Sequence, residues 1–321
     1  MQTWLTKAPY TFSVLPRVAQ DPPKAQRTFP GSARGALLFS ADFELAWAYR
    51  YSKTCNDPLG MAQRTRDNFP ALLKLFETYD IPVTWATVGH LFLRSCNRVD
   101  HDWMRRIPHF DDHWRFTSGD WFDHDPGTDW KRDPHWYAPD LLEAIFASPV
   151  DHEIGCHSFS HMDFSDRNCP PEVADDEIKA CVETAREWGI ELKSMVFPGG
   201  TYGNVEILKK HGFTNYRRKS QCVLHYPYID EMGLVVSPSK GLGDNEFGWS
   251  HDYMIKNLCS HIDKAIKTRT CVHFWFHPDI DSWFLATIMP SLLRYAASRR
   301  ESGDLWIATM ADCADYMLKK D

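Results

Sequence analysis

The chain has 321 residues, is 43% hydrophobic and carries a formal charge of -7 at neutral pH with a pI near 6.1. That length and apolar content suit one large core, since α/β barrels routinely exceed about 250 residues as a single unit. The acidic balance, without a long basic run, argues against nucleic acid or another anionic polymer as partner, and no run approaches the roughly 18 apolar residues of a membrane span.

Residues 1–34, rich in Pro and basic residues without periodicity, predict an N-terminal arm ahead of one domain over 35–321. The segment MQTWLTKAPYTFSVLPRVAQ has no apolar stretch of signal length behind a basic end, so a cytoplasmic location is expected. The nine cysteines include no CxxC pair and read as reduced core thiols rather than disulfides or a zinc knuckle.

Ala36–Ala41 is a short apolar run bounded by Gly35 and by carboxylates, the pattern of a buried parallel strand with polar function at its C-terminal end. A helical pattern over 61–79 (Leu72, Leu73, Leu75, Phe76) and an extended run Ile81–Val88 follow. Downstream the reading is a helix over Leu141–Phe146, a strand at Glu153–Cys156, a helix over Glu172–Trp188 and a strand at Ser194–Phe197. After Pro198-Gly199-Gly200 a helix spans Asn204–His211 and stops at Gly212. Helices at 252–267 and 283–299 flank a strand at Cys271–Phe276, and Leu305–Ala308 leads into a last helix. Repeated βα units of this kind imply a mostly parallel sheet covered by helices, open or closed into a barrel.

The stretch 99–139 breaks the rhythm, with Trp103, Trp114, Trp121, Trp130 and Trp136 among many Asp and His residues. Its aromatic density argues against disorder. The tryptophans could stack on a sugar ring, but packing into a small satellite core is the preferred reading.

The chemistry concentrates at predicted strand ends. His157 and His161, four residues apart, would share one face of a helical turn directly after the strand Glu153–Cys156. Two imidazoles and one carboxylate suit a divalent transition metal with an open position, and Asp42 or Glu44, after the first strand, is the obvious third donor. His277 closes the strand Cys271–Phe276 on the same side and suits a general acid, because imidazole titrates near neutrality. Strand C-terminal ends are where barrel enzymes build their sites.

Together, Asp42-Phe43-Glu44, His157-Ser158-Phe159-Ser160-His161 and Trp275-Phe276-His277 resemble the polysaccharide deacetylases that share the NodB homology domain, carbohydrate esterase family 4, over roughly residues 35–315. The resemblance implies an irregular (β/α)7 barrel with an inserted Trp-rich region at 99–139, in which Asp42 is the general base, Glu44, His157 and His161 bind the metal, and His277 is the general acid. It also implies substrate contacts at Trp85, Pro198, Gly199, Gly200, Arg217 and Trp275. The implied cofactor is zinc, with cobalt, manganese and nickel as alternatives. The implied reaction removes an acetyl or formyl group from an amino sugar, free in a glycan or carried on a nucleotide-linked or lipid-linked precursor. Two departures stand out. The acidic motif is Asp-Phe-Glu instead of adjacent aspartates, and Val196 occupies the position where the family places an Arg that pairs with the base. Arg217 or Arg218 could supply that cation, and the backbone amides of Gly199 and Gly200 could hold an oxyanion. A metal-independent amidase of the same fold and a catalytically silent carbohydrate-binding protein are the rival readings.

Overall fold

The computed structural model describes residues 21–50, 52–97, 101, 103, 124–219, 224–242 and 248–320. In chain order the first elements are β1 (Gly35–Phe43), α1 (Pro58–Thr78), β2 (Thr84–Thr87), α2 (Pro139–Phe146), β3 (Glu153–Cys156), α3 (Pro171–Glu187), β4 (Ser194–Val196) and α4 (Val205–Lys210). They are followed by β5 (Asn215–Lys219), the short β6 (Leu224–His225) and β7 (Tyr228–Ile229), then β8 (Val235–Gly241), α5 (His251–Thr268), β9 (Cys271–Phe276), α6 (Met289–Glu301), β10 (Leu305–Ala308) and α7 (Met310–Lys320).

The strands β1, β2, β3, β4, β5, β8 and β9 pair in parallel in that order, and β9 pairs back onto β1. The ring is therefore a closed seven-stranded parallel barrel. β10 adds in parallel to the first half of β1, Gly35 to Leu38, outside the ring, while β6 and β7 pair antiparallel with β9 and β8. No helix among the described residues is long and apolar enough to cross a membrane.

Side-chain alternation along β1 divides the molecule into its working parts. Leu37, Phe39, Ala41 and Phe43 point to the covering helices, where Phe39 meets Phe76 of α1 at 5.6 Å and Phe43 meets Phe69 at 5.5 Å. Helix α1 starts where it does because Pro58 occupies its first turn and the Asp57 side chain caps the Gly60 N–H at 2.9 Å. The alternate β1 residues face the barrel interior. Ala36 and Leu38 close its N-terminal end in an apolar cluster with Phe29, Tyr226, Cys271, Ala308, Cys313 and Met317. Ser40 and Asp42 continue the same face toward the C-terminal end, and there the interior becomes polar.

The expected elements recur with their ends moved by a few residues, apart from two barrel strands that the sequence reading passed over. β5 reads Asn-Tyr-Arg-Arg-Lys and β8 contains Pro238, so neither has the apolar run of a buried strand. Helix 283–299 is interrupted near its start, where Phe284–Ile288 widens into a π-helical turn. Of the predicted arm, residues 1–20 lie outside the described residues, and Phe29 is inserted in the cluster that plugs the barrel. In the Trp-rich stretch, Trp114 and Trp121 lie outside the described residues. Trp136 packs edge-on against Trp47 at 5.3 Å, Trp103 lies 5.3 Å from Phe159, and Trp130 lies against the main core.

Candidate active site

Glu44 stands at the centre of the polar end of the barrel. Its Oε2 lies 2.9 Å from His157 Nε2 and 3.0 Å from His161 Nε2, and its Oε1 lies 3.2 Å from His277 Nε2. Three segments far apart in sequence thus meet around one buried carboxylate, which is 3% exposed. Burial opposes its ionisation, but His161 and His277 beside it hold the carboxyl well below its usual range.

His157 follows β3 and is wholly buried. Its Nδ1 donates to the Val196 carbonyl at 2.7 Å, which leaves the Nε2 lone pair facing Glu44. The loop that carries His161 to the same point is not the expected helical turn. Ser158 and His161 both have left-handed backbone, with φ of 57° and 56°, so the two imidazoles converge, ring centres 5.0 Å apart, by a sharp double bend. Such residues cost on the order of 1–3 kcal/mol each and persist only where their surroundings hold them.

Glu177 on α3 does that holding. Its Oε2 accepts the Phe159 N–H at 2.8 Å and the Ser160 N–H at 3.0 Å, and its Oε1 accepts the Ser160 hydroxyl at 2.6 Å. Arg50 grips the same loop from the other side, donating to the Ser160 carbonyl at 2.5 Å while its guanidinium lies 4.6 Å over the Trp47 ring. Neither residue was anticipated. Glu177 had a readable signal, since it sits on the buried stripe Val173, Ala174, Ile178 and Cys181 of an otherwise amphipathic helix. Glu177→Ala should orphan three donors and weaken metal binding by roughly 10–100-fold, while Glu177→Gln should keep most of it; titration of both variants with zinc checks this.

Asp42, 4% exposed, lies beside Glu44 but in different company. Arg217 clamps it with both terminal nitrogens, Nη1 to Oδ1 at 2.5 Å and Nη2 to Oδ2 at 2.7 Å. Burial would raise this carboxyl, but Arg217 outweighs it and the pKa falls. Arg217 also donates to Ser40 Oγ at 3.0 Å, and Ser40 in turn donates to His273 Nε2 at 2.8 Å. Burial, with Arg217 nearby, lowers that imidazole to about 3, so His273 is a neutral acceptor. The position of Arg217 accounts for Val196. In the parallel pair β4–β5, Val196 is the direct register partner of Arg217, so the guanidinium enters the barrel at the same level from the adjacent strand.

Trp275, half-buried, lies under the Arg217 guanidinium at 4.8 Å and edge-on to His277 at 5.3 Å. The expectation of substrate contact at Trp85 needs correcting. Trp85 is 0% exposed and points outward from the barrel, against Phe69 at 5.1 Å and Phe43 at 6.1 Å. It is the β2 neighbours Thr84 and Ala86 that face inward, because alternate residues take opposite faces. Pro198 is buried and Gly199 and Gly200 are exposed at the rim, both with left-handed φ. The Gly200 N–H is engaged with the Phe197 carbonyl at 3.0 Å, which leaves Gly199 as the amide donor of that pair.

Residues 59–216 match the family profile described as polysaccharide deacetylase. Over that segment, just under half of its length, the chain is similar to the polysaccharide deacetylase family. As in that family, it is a hydrolase acting on carbon–nitrogen bonds. A Mycobacterium smegmatis structure described as a polysaccharide deacetylase superposes with a TM-score of 0.64 at 13% identity, covering 91% of this chain and 93% of that one. A Pseudomonas aeruginosa PAO1 structure described in the same way gives 0.64 at 15% identity over 94% and 95%. The PuuE allantoinase structure gives 0.63 at 15% identity over 92% and 94%. At these identities the likeness is one of fold. No curated protein sequence matches the chain.

Proposed function

We propose that this chain is a metal-dependent enzyme that removes an N-acyl group, acetyl or formyl, from an amino sugar in a glycan or glycan precursor. The observation that carries the proposal is the convergence of Glu44, His157 and His161 beside an Arg-clamped Asp42 and the half-exposed His277. The donor set of two imidazoles and a carboxylate fits a cation of the zinc class, which when bound supplies Lewis-acid activation of water and of the acyl oxygen.

The protein groups divide the proton transfers. Asp42, held ionised and fixed in orientation by Arg217, takes a proton from the water that adds to the acyl carbon. The Gly199 N–H is placed at the rim to receive charge on the carbonyl oxygen. His277, whose Nε2 lies 3.2 Å from Glu44 Oε1 at the partly open end of the site, is the group that gives a proton to the departing nitrogen as the carbon–nitrogen bond breaks. The products are the carboxylate and the free amine. Trp275 offers a partly open aromatic face next to His277 for a sugar ring.

The eight described cysteines are all thiols, as suits a reducing compartment, and a cytoplasmic setting makes a nucleotide-linked or lipid-linked amino sugar the first substrate to try. The test is an assay of acetate and formate release from N-acetyl and N-formyl amino sugars before and after chelation. Activity should disappear with the metal, return with zinc, and be absent from His157→Ala. Full activity in chelated protein would favour a metal-independent amidase. Binding across the panel without release of acid would favour a silent carbohydrate-binding protein.

A further inference from the structure

A second group of metal-ligating side chains lies outside this site. His90, Cys96, His101 and Asp125 bring one nitrogen, sulfur, nitrogen and oxygen each within 4.8 Å of one another. They come from three places: His90 from the turn after β2, Cys96 and Asp125 from the two sides of the neck of the Trp-rich insertion, and His101 from the insertion itself. The neck is closed by backbone bonds from Cys96 N to the Thr128 carbonyl and from Trp130 N to the Arg94 carbonyl, each 3.0 Å.

We propose that these four residues form a structural site for a zinc-class cation that fastens Cys96, His101 and Asp125 to the turn carrying His90, against which Phe159 of the His157–His161 loop packs. The spacing fits a four-coordinate ion. His90 Nε2 lies 3.4 Å from Cys96 Sγ and 3.8 Å from Asp125 Oδ2, Cys96 Sγ lies 3.6 Å from Asp125 Oδ2, and His101 Nε2 lies 3.0 Å from Asp125 Oδ2. A tetrahedron with metal–nitrogen bonds of about 2.0–2.1 Å and a metal–sulfur bond of about 2.3 Å has ligand–ligand edges of roughly 3.3–3.6 Å.

The neighbours aim these donors inward. His90 Nδ1 donates to the Trp136 carbonyl at 3.0 Å, which leaves its Nε2 lone pair toward the cluster. Gly127 N–H donates to Asp125 Oδ1 at 2.9 Å and Cys96 Sγ lies 3.3 Å from the same oxygen, while Oδ2 lies toward both imidazoles. The Tyr137 hydroxyl lies 3.1 Å from Cys96 Sγ.

The surroundings of His90 are aromatic. Asp125 and His90 are 0% exposed, and the rings of Trp47, Tyr137 and Phe159 lie within 4.4, 4.9 and 5.8 Å of His90. Sulfur and imidazole select zinc-class ions over magnesium or calcium, and four protein donors mark a closed, structural site in contrast to the three-donor site at Glu44.

The consequence falls on the catalytic loop. Phe159, midway between His157 and His161, packs against both His90 and His101, and its carbonyl accepts the His90 N–H at 3.1 Å. A cation at this point would tie Cys96, His101 and Asp125 to the turn that carries His90, against which Phe159 of the His157–His161 loop packs.

Cobalt(II) loading of the full-length protein provides the test. A cysteine thiolate on cobalt gives a near-ultraviolet sulfur-to-metal absorption that a site of imidazoles and carboxylate cannot give. The wild-type protein should show that band, and Cys96→Ala should lose the band together with one metal ion per chain. His157→Ala should keep the band at full strength whatever becomes of its own ion, so this result is independent of the proposal for the first site. Cobalt-loaded wild-type protein without the band overturns the inference even if Cys96→Ala does not fold, and so does a band that survives in Cys96→Ala.

Discussion

Asp42→Asn should lower turnover by roughly 10²–10⁴-fold, the usual contribution of a general base, while leaving the metal content at the Glu44 site unchanged. The expectation follows from how the barrel separates two carboxylates that lie two residues apart. Glu44 is reached by His157, His161 and His277, whereas both oxygens of Asp42 face the Arg217 guanidinium. An asparagine keeps the volume but cannot take a proton, and it turns an amide nitrogen toward Arg217. Glu44→Gln should behave differently, losing metal and activity together, because a neutral amide replaces the anionic carboxylate that lies beside both imidazoles. Metal analysis and steady-state kinetics on the two variants decide the matter. If Asp42→Asn loses the ion and Glu44→Gln keeps it, the roles are exchanged.

The residues proposed for the chemistry were legible because strand ends carry their signals locally. An apolar run followed by carboxylate or imidazole marks the C-terminal end of a buried strand, and Asp42, Glu44, His157 and His277 each stand in that position. The means of bringing them together was less visible. Nothing in His-Ser-Phe-Ser-His announces two left-handed residues, because the loop is shaped by Glu177 and Arg50, which come from elsewhere in the chain. Trp85 was misplaced for a reason of parity: its neighbours on β2, not Trp85, face the barrel interior, and a run without polar alternation does not reveal which face is which. β5 and β8 were missed because their inward faces are polar. Arg217, Ser237 and Ser239 are buried there, so the apolar run that betrays the other strands is broken. The cysteine count likewise pointed to inert thiols, since a site assembled from His90, Cys96, His101 and Asp125 has no recurrent spacing to detect.

Arg217→Met should be the most damaging single change to stability at the polar end of the barrel. Removing one partner of a buried ion pair leaves the other charge uncompensated, which costs about 3–5 kcal/mol. Here it also releases Ser40 and removes the cation lying over Trp275. Turnover should fall as well, because Asp42 would lose both its fixed orientation and the charge that keeps it ionised. Arg217→Lys should recover only part of either loss, since a single ammonium cannot match both carboxylate oxygens as the planar guanidinium does. The register of β4 against β5 supplies a sharper check. Val196 pairs directly with Arg217, so Val196→Arg added to Arg217→Met places a guanidinium at the same level of the barrel on the adjacent strand. Denaturant unfolding and kinetics on the single and double variants should show partial recovery in the double. A double variant no better than Arg217→Met would mean that Asp42 depends on the particular approach from β5, including the bond to Ser40, and not simply on a positive charge at that depth.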